Sequence, residues 1–534
     1  MSERALSHWA WGYVDRFPDE EALRALASQL EAVLGFAAQA PEAPAPLEAL
    51  RLPPPRLMPP AALLDLVTPA TEARVRHTYG KAYRDQLRAL RGDFRAAPDL
   101  VALPGSEEDV ARVLEWADGA GVAVVPFGGG TSVVQGLEID GPERFPATLS
   151  LDLTRLDRVL EVDATSRLAR IQAGARGPVL ERGLATHGLS LRFFPQSFEL
   201  STLGGWVATR AGGHFATLTT HIDALVASVR VLSPAGLIAT RTLPASGAGP
   251  SPDRLVLGSE GALGVITEAT VRVRPRPRFR AGATARFCSF AAGAEAARAL
   301  AQSDLHPSNC RLLDEREAAL NGVTSDGSAV LLLAFESDDH PLDAWLLRAL
   351  ALVREHGGRV DEERAGASSE DGREGWRRAF LEAPYLQSVL LSLGVVADTF
   401  ETACPWSRFP SLHAEVVARV RAAMRAVAGA GRLTCRLTHV HPDGPAPYYT
   451  FLFPARRGAE LEQWAEVKAA ASEAVLEAGG TITHHHAVGR THRRGYEREV
   501  PEPMRQALWA AKRALDPRGV MNPGVLLGEA PERD

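Results

Sequence analysis

Pro126-Phe127-Gly128-Gly129-Gly130-Thr131-Ser132 closes the stretch DLVALPGSEEDVARVLEWADGAGVAVVPFGGGTS, residues 99–132. The order is strand, turn, helix, strand, glycine loop. Val122–Phe127 is a short apolar strand, and Glu107–Ala117 suits a helix capped by Ser106. Three glycines directly after a buried strand let the backbone turn tightly and aim several N–H groups at one point. Such a nest suits a pyrophosphate. The spacing is neither GxGxxG nor GxxxxGKS, so the loop is not that of a dinucleotide-binding Rossmann unit or a P-loop nucleotidase. Taken alone, a glycine loop after a strand is more often a plain turn.

Two more glycine-bearing loops follow in the same α/β region. One is Gln196-Ser197-Phe198-Glu199-Leu200-Ser201-Thr202, which runs through Leu203-Gly204-Gly205-Trp206 to Thr209-Arg210-Ala211-Gly212. The other is Glu260-Gly261-Ala262-Leu263-Gly264-Val265-Ile266. ATLSLDLT, RLARIQAG and ALVASVRVLSP read as strands between them. Three such loops in one region point to a phosphate-bearing cofactor.

The set PFGGGTS, PQSFELSTLGGW and GSEGALGVITEA resembles the FAD-binding domain of the vanillyl-alcohol-oxidase-type flavoproteins, over about residues 97–277. The resemblance implies an α+β fold in which two subdomains grip FAD, with residues 126–132, 196–202, 209–212 and 260–266 lining it. No histidine stands beside the first loop, where covalent flavin attachment is often found, so noncovalent FAD is expected.

The rest of the chain resembles the alkyl-dihydroxyacetone-phosphate synthase family. WGYVDRF near the start, CRLLDE at 310–315, TFETACPWSR at 399–408, CRLTHV at 435–440 and GGTITHHHAVG at 479–489 carry the likeness. It implies exchange of an acyl group for a long-chain alkoxy group on a dihydroxyacetone-phosphate-like ketone, through a flavin N5 adduct, in ether lipid synthesis. It also implies a proton-transfer role for Tyr448, a histidine cluster at His484, His485 and His486, an active-site arginine at Arg311, and a homodimer. Without the resemblance, Tyr448 in PYYTFLF reads equally as an aromatic strand core, and Arg311 as a buried partner of Asp314. Were the three histidines on a strand, His484 and His486 would share one face. No metal is expected, since adjacent ligands chelate poorly.

Some positions depart from the family. Gln387 stands where the synthases have a substrate-contacting arginine; it keeps hydrogen bonding and loses the charge that suits a phosphate. HFATLTTHID, after the TRAGG stretch, lacks lysines found in the animal enzymes, and Ala487 replaces a glycine. The alternative is an oxidoreductase on the same scaffold, of D-2-hydroxyacid dehydrogenase or alcohol oxidase type. Dehydrogenases of this kind carry HxGDGNxH, whose histidines bind a metal; here the stretch reads His441-Pro442-Asp443-Gly444-Pro445-Ala446-Pro447-Tyr448, and the second histidine is a tyrosine. A third reading, a flavin-binding interaction subunit, is opposed by Tyr448, Arg311 and the histidines.

Composition sets outer limits. At 534 residues the chain exceeds one core, and roughly two to four domains are expected. The reading is a helical extension and Pro-rich connector at 1–60, an FAD-binding domain at 61–280, an α+β antiparallel cap at 281–450, and a part at 451–534 that closes on the FAD domain. Net charge is −6, no footprint for nucleic acid. The four cysteines lack CxxC spacing, which suits a reducing compartment. No signal peptide, peroxisomal address (the tail reads PERD) or membrane-spanning run is evident, so a cytoplasmic enzyme is expected. Trp9, Trp11 and Tyr13 could touch lipid, but packing is the simpler role.

Overall fold

The computed structural model describes residues 4–361 and 382–528, so the PERD tail lies outside the described residues. The first glycine loop leaves a four-stranded sheet in the order Val67–Thr68, Leu100–Ala102, Thr148–Asp152, Ala123–Phe127. Its last three strands are parallel. The helix Glu107–Ala120 covers it, with the Ser106 hydroxyl accepting from the Asp109 N–H at 3.1 Å as its cap. A second sheet, all antiparallel, runs Val159–Asp163, Leu168–Gln172, Val265–Arg272, Val226–Ser233, Gly236–Ala239. Arg230 and Thr267 of this sheet both bond Glu107 of the covering helix, at 2.6 Å each, and so tie the two units together. This is the two-subdomain arrangement and not a doubly wound sheet.

The third sheet has seven antiparallel strands: Arg359–Val360, Phe279–Phe287, Ala329–Ser337, Asn309–Leu313, Arg432–Val440, Pro445–Pro454, Val395–Glu401. Strand alternation decides its chemistry. Leu433, Cys435, Leu437, Tyr449, Phe451 and Phe453 join the core that also takes in the helices Phe409–Ala428 and Glu460–Glu477. Thr434, Arg436, Thr438, Tyr448, Thr450 and Leu452 line the cavity on the other face. Register slips between Leu437 and His439, a bulge that brings both Thr438 and His439 to that cavity.

The strand Pro445–Pro454 runs across residue 450, so the cap sheet does not end there. The chain then returns to the first sheet, where Met521 bridges Val124 in parallel. Lys512 anchors this return: its ammonium donates to Asp516 at 2.6 Å, to the Ala262 carbonyl at 2.7 Å and to the Met521 carbonyl at 2.6 Å. Asp516 is 1% exposed. Replacing Lys512 with Met strands that carboxylate and should cost about 3 kcal/mol. The check is the thermal unfolding midpoint of K512M, which should fall well below that of K512R.

Candidate active site

A cavity of about 410 Å³ lies where the three sheets meet. Its floor is made by the three glycine loops, which interlock. A Cβ on Gly129 would stand 2.0 Å from the Leu200 carbonyl, one on Gly128 2.3 Å from the Thr202 hydroxyl, and one on Gly261 2.9 Å from Pro126. Gly130 and Gly261 also take φ of +64° and +78°, open to glycine without strain. Among the described residues, none of the backbone N–H groups of Gly128 to Ser132 donates to another protein group. A row of N–H groups without partners beside a cavity fits a pyrophosphate, and hence FAD.

The structure brings Pro126 through Ser132, Gln196, Ser197, Ser201, Thr202, Thr209, Ala211, Gly212, Glu260, Gly261, Gly264 and Ile266 to the cavity. It does not bring Phe198, Glu199, Leu200, Arg210, Ala262, Leu263 or Val265 there. Leu200, Ala262, Leu263 and Val265 are buried as packing. Phe198 stacks on Trp206, Glu199 accepts from the Tyr385 hydroxyl at 3.2 Å, and Arg210 pairs with Asp223 at 2.7 Å. Within each loop only some side chains face the cavity, and a contiguous motif does not reveal which.

The histidines are not on a strand; they sit in a bent segment gathered by Glu401. The Glu401 carboxylate, 2% exposed, accepts the backbone N–H groups of His484 (2.6 Å), His485 (3.1 Å) and His486 (3.0 Å), and the Thr483 hydroxyl at 2.7 Å. Burial alone would raise its pKa, but the three imidazoles and the Thr483 hydroxyl outweigh burial and hold it well below the usual range. Glu260 takes the next turn of backbone, accepting from Val488 at 2.9 Å and Gly489 at 2.8 Å, while burial pushes its carboxyl up to about 7. Between these two clamps Ala487 has φ of +74°, a left-handed position that accounts for the family's glycine.

Tyr448 faces His485 and His486 with ring centroids 5.9 and 5.4 Å away. Its hydroxyl donates to Thr399 at 3.0 Å, and the Arg436 guanidinium lies 4.0 Å from its ring centroid. Burial raises the phenol pKa, with Arg436 and Thr399 opposing, so the group is neutral at pH 7. Burial likewise keeps His485 (about 3) and His486 (about 4) neutral. His439, His221 and His441 surround His484, and burial together with its neighbours drives His484 down as well. One ring nitrogen from each of His439, His484 and His485 lies within 4.8 Å of the others, a spacing open to a metal ion.

Arg311 is 0% exposed and does not line the cavity. It lies within the sheet, where burial, then Arg436, lower its pKa and Glu317 opposes them. The Asp314 carboxylate caps the helix Glu315–Leu320 and accepts from the Cys435 N–H at 2.7 Å. Among the described residues, Arg436 is the arginine at the cavity, held by Glu317 at 2.6 Å. Gln387 lines the cavity; its amide donates to the Ala397 carbonyl at 3.0 Å and its carbonyl accepts from Gln86 at 3.3 Å. Sequence reasoning missed Glu401, Arg436, His439 and His221 as site members. The first three lie inside stretches that carried the resemblance, and His221 lies in HFATLTTHID.

The comparisons agree with this geometry. The FAD binding domain family matches residues 98–241, and the family "FAD linked oxidases, C-terminal domain" matches 276–526. An alkyldihydroxyacetonephosphate synthase of Trypanosoma brucei brucei is 30% identical over 480 residues, covering 86% of this chain and 78% of the relative. The chain belongs to the alkyldihydroxyacetonephosphate synthase family. A solved structure of such a synthase superposes with a TM-score of 0.81 at 25% identity, covering 97% of this chain and 98% of that one. Glycolate oxidase subunit GlcD of Bacillus subtilis is more distant, 25% identical over 82% of this chain and 90% of its own length. The protein is an FAD-linked enzyme of this family.

Neutral buried histidines set the acid response. His486, His492 and His413 have folded pKa values near 4, each pushed down chiefly by burial, against about 6.5 unfolded. The unfolded chain therefore binds more protons between pH 6.5 and 4, so stability is whole above 6.5 and falls as pH drops toward 4. The thermal midpoint should decline from pH 7 to 5, and His413→Phe, remote from the cavity, should make that decline shallower.

Proposed function

We propose that the protein exchanges the acyl group of an acylated dihydroxyacetone-phosphate-like ketone for a long-chain alkoxy group, with noncovalent FAD. The observation that carries this is Tyr448, a neutral phenol set against His485 and His486 at a position where a metal-dependent dehydrogenase of this scaffold has a histidine ligand. Residues 126–132, with Ser201, Thr202, Gly261 and Ile266, would hold the cofactor. Bound FAD supplies a ring able to take up and release a substituent carbon without net redox change. His77 packs 4.4 Å from Phe127, but its two ring nitrogens face the Ala73 carbonyl and Asp152, which agrees with noncovalent binding.

The chain's own groups divide the remaining work. Once its own phenol proton has passed to a neighbouring imidazole, Tyr448 takes a proton from the carbon beside the ketone and later returns it, its oxygen positioned by the hydrogen bond to Thr399. Arg436 beside the ring favours the phenolate that accepts this proton. Trp11, Leu320, Leu386, Leu390 and Leu452 give the outer cavity an apolar wall for an acyl or alkyl chain. Arg311 acts through Arg436 and Glu317 by shaping their field.

One observation favours the oxidoreductase reading. Among the described residues lining the cavity, Arg436 is the one Arg or Lys, and it is already paired with Glu317. A phosphate therefore meets less positive charge than the family arginine at position 387 would provide. The substrate would then be an unphosphorylated alcohol or 2-hydroxyacid. A cytoplasmic homodimer with peripheral access to lipid completes the proposal; no helix among the described residues is long and apolar enough to cross a membrane.

The test is anaerobic mixing of the yellow protein with palmitoyl-dihydroxyacetone phosphate. Flavin bleaching, palmitate release and an ether product on adding hexadecanol are expected. An unchanged spectrum, with turnover of a 2-hydroxyacid and a dye acceptor, would establish the oxidoreductase instead. Tyr448→Phe should keep bound flavin and lower kcat about a hundredfold or more; equal turnover would remove its role. Gln387→Arg should lower KM for the phosphorylated ketone, and an unchanged KM in a folded, flavin-loaded variant would count against charge loss as the reason for the departure.

A further inference from the structure

The six histidines around the cavity are not equivalent. His485 lines the cavity, whereas His484 and His441 lie behind it. His485 Nδ1 stands 3.2 Å from His484 Nδ1. The other nitrogen of His484, Nε2, stands 3.3 Å from His441 Nε2. His484 is thus engaged through both ring nitrogens, once toward the cavity and once away from it. His441 is half-buried at the turn 441–444, where the next residues, Pro442 and Asp443, are exposed. The Trp406 indole N–H fixes this turn by donating to the His441 carbonyl at 2.9 Å.

We propose that His485, His484 and His441 form a proton relay between the cavity and the surface. It deepens the proposed function, because a reaction that removes and returns a proton in a buried cavity needs an exit for exchange. An imidazole passes protons by accepting at one nitrogen and releasing from the other. In the outward direction His485 Nε2 takes a proton from the cavity side. The Nδ1 proton of His485 moves to His484 Nδ1, the Nε2 proton of His484 moves to His441 Nε2, and His441 releases its Nδ1 proton to water. One proton enters, one leaves, and all three rings end neutral in the opposite tautomer. The reverse passage resets them.

The surroundings support transit. Glu401 lies 3.7 Å from His485 Nδ1 and favours a passing positive charge. His221 and His439 spend Nε2–H protons on the His484 and Gly213 carbonyls, each at 2.8 Å, and flank the line without interrupting it. Tyr448 stacks on His485 and both line the cavity, so a ligand held beside the pair meets both groups. Arg436 is the near cation, and its pairing with Glu317 limits repulsion of the proton.

Two measurements test the relay. In flavin-loaded protein carrying ¹⁵N-histidine, through-hydrogen-bond N–N couplings are expected for the pairs 485–484 and 484–441, a readout that needs no turnover. Absence of both couplings overturns the relay, and so does stoichiometric Zn²⁺ retained by His484 and His485, because a metal takes the same lone pairs. In His441→Ala, kcat should fall about a hundredfold with KM and flavin spectrum unchanged, and free imidazole should restore part of it. Unaltered kcat with an unaltered solvent isotope effect overturns the relay. Should the wild-type protein fail to turn over the acylated ketone, the functional reading falls, while the N–N couplings still decide the relay.

Discussion

Two buried carboxylates hold this site together. Glu401, at the end of a cap-sheet strand, takes hold of the backbone N–H groups of His484, His485 and His486, and Glu260, in the third glycine loop, those of Val488 and Gly489. A short irregular segment inside a protein has donors that must be satisfied, and a carboxylate accepts several at once. The same segment therefore joins the cap sheet to the flavin-binding unit and sets the positions of the histidines. The left-handed backbone at Ala487 follows from the reversal of direction between the two clamps.

The cavity's electrostatics follow from burial. Imidazoles shielded from water and crowded together are held neutral, while Glu401, rich in donors, stays ionised. Neutral imidazoles hold lone pairs for proton exchange, and their mutual contacts produce a line of ring nitrogens instead of a shell of repelling cations. Arg436 supplies the positive charge near Tyr448, and Glu317 moderates it. Behind Thr399, Lys468 and Trp464 both donate to Asp398, so the hydroxyl that meets Tyr448 rests on a buried polar network.

The glycine loops were legible in the sequence because the chemistry of a tight turn leaves its signature in adjacent residues. Gly128, Gly129 and Gly261 are glycines for a reason visible afterwards: each abuts the neighbouring loop where a Cβ does not fit. The helix Glu107–Ala120 was legible from periodicity and its Ser106 cap. Leu263 and Arg210 show the limit of such reading, since one is packed in the core and the other turns out to Asp223. The resemblance placed Tyr448 and the histidines, yet nothing local in PYYTFLF separates Tyr448 from Tyr449. Strand alternation turned one to the cavity and the other to the core.

By itself the sequence determined the flavin-binding architecture, the family chemistry and the residue types of the site, because these rest on short-range patterns of glycine, β-branched residues and histidine. The tertiary structure alone decided that Arg436 and not Arg311 reaches the cavity, that Glu401 organises the histidines, and that His441 and His221, distant in the chain, join them. Those outcomes depend on sheet register, on a bulge after Leu437 and on the return of the C-terminal segment, all set by long-range packing that no local pattern encodes.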